Sequence, residues 1–101
     1  MQEFKIERVD KSDLVFKGEV IGKSSGPNPK LMIYRTETGH FVAAIRSDSQ
    51  RWNANHFDKA EDLLKWVNGM LQPLLPQDQQ AIEEAAQNNE SFAKLWTERV
   101  D

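Results

Sequence analysis

The spacing of apolar residues changes once along this chain, and that change constrains the fold more than any other feature. Before position 47 apolar side chains recur at every second residue, as at Leu14 and Phe16. After position 56 they recur at every third or fourth residue, as at Leu63 and Val67. A period of two is typical of strands and a period of 3.6 of helices. The sequence therefore predicts a strand-rich first half and a helical second half.

The first half predicts two consecutive hairpins, which together form four strands. The first hairpin spans residues 4–21 and turns at the polar residues 10–13. The second spans residues 31–46, where Gly39 supplies the positive φ that a short hairpin loop needs. One side of this hairpin is strongly apolar and the other is partly apolar. We therefore expect the side chains of the first side to point into the core and the opposite face to be partly covered. The inward set is Leu31, Ile33, Phe41, Ala43 and Ile45, and the opposite face carries Met32, Tyr34 and Val42.

The second half predicts three helices after a loop. Residues 47–56 are polar and show no period, so we expect a loop of about ten residues there, longer than most connections. Apolar residues at helical spacing follow in residues 60–71, 77–87 and 91–100. Pro76 suits the first position of the second helix, because that position needs no backbone N–H donor.

This order of elements predicts an α+β fold with a four-stranded antiparallel sheet and three helices packed on one face. Parallel neighbours would need long crossovers, for which the first half has no room. A chain of 101 residues matches the usual size of one domain, so we expect residues 1–101 to share one core.

Composition indicates a soluble cytoplasmic protein. There is no cysteine, which excludes disulfides and thiol chemistry. No apolar run approaches the length of a membrane span or of a signal-peptide core. The net charge of −3 divides unevenly: residues 1–56 hold nine Lys/Arg and seven Asp/Glu, and residues 57–101 hold four and nine. An excess of two cations is too small to predict nucleic-acid binding by itself.

The sequence contains no catalytic pattern. His40 and His56 lack the spacing of a metal site, and both are expected to be exposed surface residues. The glycines form neither a dinucleotide-binding nor a P-loop motif. Paired carboxylates lie on predicted exposed helix faces, where they serve solubility. We therefore expect no enzyme activity, no cofactor and no metal.

One aromatic and basic cluster is a candidate binding site. Trp and Arg are frequent interface anchors, and Trp beside Arg also suits single-stranded nucleic acid. The alternative for the tryptophan is that it folds back and caps the core. The candidate residues are Tyr34, Arg35, Arg46, Arg51, Trp52 and His56.

Short motifs in this chain resemble the EXLDI family of small bacterial proteins, over residues 14–101. The motifs are residues 14–22, 33–36, 39–42 and the ending Glu98-Arg99-Val100-Asp101. Val100 stands where the family motif has Leu. The resemblance implies a bacterial or mobile-element source, and it implies no biochemical role or catalytic residues.

These observations predict a non-catalytic module that binds another protein or a second copy of itself, as a homodimer. Accessory proteins of bacteria or mobile elements and phage-derived inhibitors of host proteins belong to this class. An exposed strand edge or the last helix would provide the contact. The alternative is a nucleic-acid-binding regulator that uses the basic and aromatic first half.

Overall fold

A five-stranded antiparallel sheet is followed by three helices in the computed structural model, which describes residues 1–8, 11–27, 29–46 and 51–96. The strands lie in the sheet in sequence order, each antiparallel to the next. The α+β class is as predicted, but the predicted count of four strands is wrong. The strands are β1 (Gln2–Ile6), β2 (Leu14–Lys23), β3 (Leu31–Thr36), β4 (Phe41–Arg46) and β5 (Trp52–Phe57).

The fifth strand lies in the segment that was predicted to be a loop. β5 pairs with β4 from Arg46↔Trp52 to Phe41↔Phe57. Asn53 and Asn55 are poor strand formers. Because they are polar, the sequence shows no clear alternation of apolar side chains over this segment. The ladder with β4 decides the conformation here, because strand preference depends strongly on the neighbouring strand. Residues 47–50 of the predicted loop lie outside the described part of the chain.

The three helices follow the predicted positions closely. They are α1 (Ala60–Met70), α2 (Pro76–Asn88) and α3 (Glu90–Trp96). Acidic Glu61 and Asp62 lie in the first turn of α1, where the helix dipole favours negative charge. Pro76 is the first residue of α2. Residues 97–100 of the third predicted helix lie outside the described residues. No helix in the described ranges is long and apolar enough to cross a bilayer.

The main core lies between the helices and one face of the sheet. The predicted inward set of the second hairpin is buried there, each side chain at most 5% exposed. Leu63 and Val67 of α1 and Ile82 of α2 are fully buried against it. Phe92 of α3 is also fully buried, and its ring meets that of Phe41 edge-on at 5.1 Å between centroids.

A second group of apolar residues, here called the inner cluster, lies on the opposite face of the sheet, where none of the three described helices covers it. The sheet itself covers the inner cluster, because it curls until the end of β1 meets β5. Arg8, just after β1, forms a parallel bridge with Trp52 of β5 and donates from Nη1 to the Ala54 carbonyl oxygen at 3.3 Å. The register shifts between Val20 and Gly22, and such irregularities bend a strand. The buried members are Ile6, Tyr34, Val42, Ala44 and Ala54, flanked by Phe4, Leu14, Phe16, Met32 and Trp52.

A buried polar contact joins the β2–β3 loop to the start of α2. The Ser24 hydroxyl accepts a hydrogen bond from the Leu31 N–H at 2.8 Å and donates to Asp78 Oδ1 at 3.2 Å. Ser24 is 2% exposed and Asp78 is 1% exposed. Buried polar groups need hydrogen-bond partners within the protein. This serine provides one for the Leu31 N–H of the sheet and one for the Asp78 carboxyl of the helix.

Replacing Ser24 with alanine is expected to lower the free energy of unfolding by about 1–3 kcal/mol, because the Leu31 N–H and the Asp78 carboxyl then lose a buried partner. Urea denaturation measures the change. Ser25→Ala is the matched control, since the neighbouring Ser25 is exposed and its loss should stay within about 0.5 kcal/mol. Equal effects of the two substitutions would show that the buried contact contributes nothing.

Candidate functional site

An open groove, here called the end groove, lies at one end of the rolled sheet. Its volume is about 450 Å³. The first residues of β2 form one wall, and Val42 of β4 and His56 of β5 also line it. Leu14, Val15 and Phe16 make the wall apolar. A volume in this range is typical of sites that bind a ligand or a segment of a partner.

The groove exists because β3 is shorter than β2. The β3–β4 turn reverses the chain directly after Thr36, with Gly39 at φ 87 and the Thr36 Oγ1 accepting the His40 N–H at 2.9 Å. Glu37 N–H donates to the Lys17 carbonyl oxygen at 2.8 Å, which places the turn beside Lys17. Residues 14–16 of β2 therefore extend past the end of β3, and the groove opens beside them.

Polar groups surround the apolar part of the groove. Lys17 and Glu37 lie at the end where the turn begins, and neither forms an ion pair with another described residue. His40 Nε2 lies 3.8 Å from Asp58 Oδ1, and both side chains are exposed. No group of three His, Cys, Asp or Glu side chains in the described ranges is arranged to hold a metal ion. The groove thus combines apolar surface with two opposite charges and two imidazoles.

Two of the predicted site residues, Tyr34 and Trp52, line a separate cavity of about 330 Å³. Tyr34 is 7% exposed, and its ring lies 4.9 Å from that of Phe4 and 5.1 Å from that of Phe16. Burial raises the pKa of the Tyr34 phenol. Trp52 is half-buried against the inner cluster, as its interpretation as a core cap predicts.

The remaining predicted residues do not share one surface. Arg35 pairs with Glu19 at 3.2 Å, and it alternates with Tyr34, so the two side chains lie on opposite faces of β3. The Arg46 guanidinium lies 5.8 Å from the centre of the Trp52 ring, and Arg51 precedes that tryptophan on an exposed position. His56 belongs to the end groove. The structure thus brings Arg46 to Trp52, and it separates both from Arg35.

Sequence reasoning did not single out the apolar wall of the end groove. The relevant signal was a difference in length: the alternation over residues 14–21 is longer than that over residues 31–36. Adjacent strands of unequal length leave part of the longer one without a neighbour. The difference in strand length predicts that one end of β2 extends past β3, but it does not predict the groove beside that end.

The comparisons with known proteins leave the function to be inferred from this geometry. The motifs that resemble the EXLDI family fall in β2, in β3 and around the β3–β4 turn, and the ending at residues 98–101 lies outside the described part of the chain. Family membership stays a prediction. A scan against family models gave no match, and neither the curated proteins nor the solved structures gave one.

Proposed function

We propose that the protein is a non-catalytic interaction module that binds another protein through the end groove. The observation that carries this proposal is apolar surface exposed beside a groove. Val15 is 56% exposed and lines the groove, and so do the partly buried Leu14 and Phe16, whose side chains lie on the opposite face of β2 beside the inner cluster. Exposed apolar surface beside a groove with a polar rim is typical of protein interaction sites.

The charges around the groove favour a protein partner over nucleic acid. Lys17 and Glu37 oppose each other at the rim, so the groove offers no net positive charge to a phosphate backbone. The chain as a whole carries −3, with most of the excess in the helical half. An acidic surface repels polyanions and tolerates neutral or basic proteins.

The biological role that we propose is that of a small bacterial or mobile-element accessory protein in the cytoplasm, including inhibitors that block a host protein. The resemblance to the EXLDI family and the absence of cysteine support this setting. A role of this kind needs a binding surface, and the end groove supplies a candidate for it.

Nucleic-acid binding is the second candidate, and the contact between Arg46 and Trp52 favours it. A half-exposed tryptophan beside arginine is a stacking platform for single-stranded bases. Arg46 already occupies part of the space over the Trp52 ring, at 5.8 Å from its centre. A base would have to displace this guanidinium or reach the other face of the ring.

Replacing Val15 with aspartate is expected to weaken partner binding about tenfold or more, because a charge would have to be desolvated on the apolar wall. The ligands are peptides enriched from a random displayed library against the native protein, and fluorescence anisotropy measures their affinity. Since Val15 is 56% exposed, the variant should fold normally.

Val20→Asp is the matched control, because Val20 lies on the same strand, is 37% exposed and does not line the end groove. Its peptide affinity should stay within about twofold of native. Enriched peptides that bind both variants as well as the native protein would place the binding surface elsewhere. A library that yields no binding peptide would contradict the proposed function.

A further inference from the structure

We infer that the partner contributes an extended, uncharged and apolar segment that adds to the sheet as a strand along residues 14–16. This inference rests on the proposed function and names the mode of binding. It follows from the direction of the backbone groups in β2 and from what lies beside them. Added strands bind through main-chain hydrogen bonds and gain specificity from the pockets for their side chains.

The hydrogen bonds of β2 alternate between its two neighbours. The Lys17 carbonyl accepts from Glu37, on the β3 side of the strand, at 2.8 Å. Successive residues of an antiparallel strand direct their N–H and C=O to opposite sides. The Phe16 groups therefore point to β1, where Phe16 pairs with Phe4, and the Val15 groups point away from β1.

On that side no strand of the described part of the chain reaches Val15. The last pair between β2 and β3 is Gly18↔Thr36, and beyond it the chain turns back at residues 37–39. Among the described residues, the N–H and C=O of Val15 thus have no ladder partner, and they lie at the wall of the end groove. An unpaired edge of this kind is a ready template for another strand.

The outer edge of β5, in contrast, is blocked by the protein itself. The Ala54 carbonyl accepts a hydrogen bond from Arg8 Nη1, and the His56 N–H donates to Asn55 Oδ1 at 3.0 Å. Trp52 is bridged to Arg8. Occupied edges of this type prevent pairing with other chains. The Val15 edge lacks such protection among the described residues, so a partner strand can reach it.

The surroundings of this edge define the chemistry of the segment. A strand paired with Val15 would direct alternate side chains toward Phe16 and Val42, which favour apolar residues. The charges of Lys17 and Glu37 at the rim cancel, so a charged segment would gain no electrostatic attraction there. A second copy of the chain fits less well, because a two-fold pairing centred on Val15 would bring its Asp13 to the position beside Lys17 that Glu37 occupies.

The test removes the donor of the proposed strand pair. Val15→Pro takes away an N–H that β1 does not use, and proline is tolerated at such edge positions. We expect it to weaken the enriched peptides about tenfold or more. Glu3→Pro is the matched control, because Glu3 is exposed, its N–H points away from β2 and it does not line the end groove, so peptide affinity should stay within about twofold. A second test leaves the protein unchanged and methylates the backbone nitrogens of the peptide one at a time. N-methylation at the peptide positions that face Val15 should lower the affinity about tenfold.

The outcomes separate this inference from the proposed function. Peptides that bind Val15→Pro with native affinity and tolerate N-methylation at every position, yet fail to bind Val15→Asp, would overturn strand addition and leave the groove as the binding site. If the library yields no enriched peptide, both the strand addition and the proposed function are overturned. A dimer seen in sedimentation that Val15→Pro abolishes, without any enriched peptide, would make a second copy the occupant and overturn the partner segment.

Discussion

Replacing Phe92 with alanine is expected to lower the free energy of unfolding by about 3–5 kcal/mol, which is the usual cost of removing a large buried aromatic side chain. Phe92 is fully buried and contacts Phe41 of β4 edge-on. α3 has seven residues and would be marginal as an isolated helix, so the burial of Phe92 in the main core holds it to the domain. Urea denaturation followed by circular dichroism measures the change.

Leu95→Ala is the matched control for this prediction, because Leu95 lies on the same helix but is 44% exposed. Its effect should stay within about 0.5 kcal/mol, as for most exposed positions. If Leu95→Ala cost as much as Phe92→Ala, α3 would pack on the domain through a different face from the one described.

Replacing Gly22 with alanine is expected to cost about 3 kcal/mol, which lies at the upper end of the usual range for overpacking. A Cβ at this position would lie 2.1 Å from the Ala81 carbonyl oxygen and 3.0 Å from the Ala85 nitrogen. Both atoms belong to the backbone of α2, so no side-chain rotation can relieve the clash. The helix would have to move away from the sheet and open the main core, and thermal denaturation should show a lower midpoint.

Gly69→Ala provides the control with the opposite sign. Gly69 lies in α1, and a Cβ there would meet no atom within 4 Å. Alanine restricts the unfolded chain and favours helix, so this variant should gain about 0.5–1 kcal/mol. A neutral Gly22→Ala would mean that α2 does not approach β2 as closely as the structure shows.

The local elements of the fold were predictable because their causes are local. Alternation marked β2, β3 and β4, and the positive φ of Gly39 closes the predicted hairpin. Helical spacing and Pro76 marked α1 and α2. The burial of both faces of the second hairpin followed from its apolar residues on both sides, since apolar area gains free energy only when it leaves water.

The parts that were not predicted depend on residues far apart in the chain. β5 forms because β4 offers it a ladder, although its asparagines disfavour a strand. The rolling of the sheet depends on Arg8 reaching the Ala54 carbonyl, 46 residues away, and no local pattern encodes that contact. Tyr34 was therefore predicted as an interface residue, while the rolled sheet buries its ring in the inner cluster.

The end groove is unpredictable from sequence for a similar reason. It needs the overhang of β2, the position of the β3–β4 turn beside Lys17, and the approach of His56 from β5. Only the first of these is visible as a difference in strand length. The exposure of Val15 beside the groove, from which the proposed function starts, is a consequence of all three.

Amide hydrogen exchange of the free protein tests the central claim most directly, because it reports which N–H groups of β2 have a partner. The Phe16 N–H pairs with β1 and should exchange slowly, whereas the Val15 N–H should exchange at nearly the rate of an unstructured peptide. Protection of Val15 equal to that of Phe16 would show that its edge is already occupied, and there would be no open position for a partner strand.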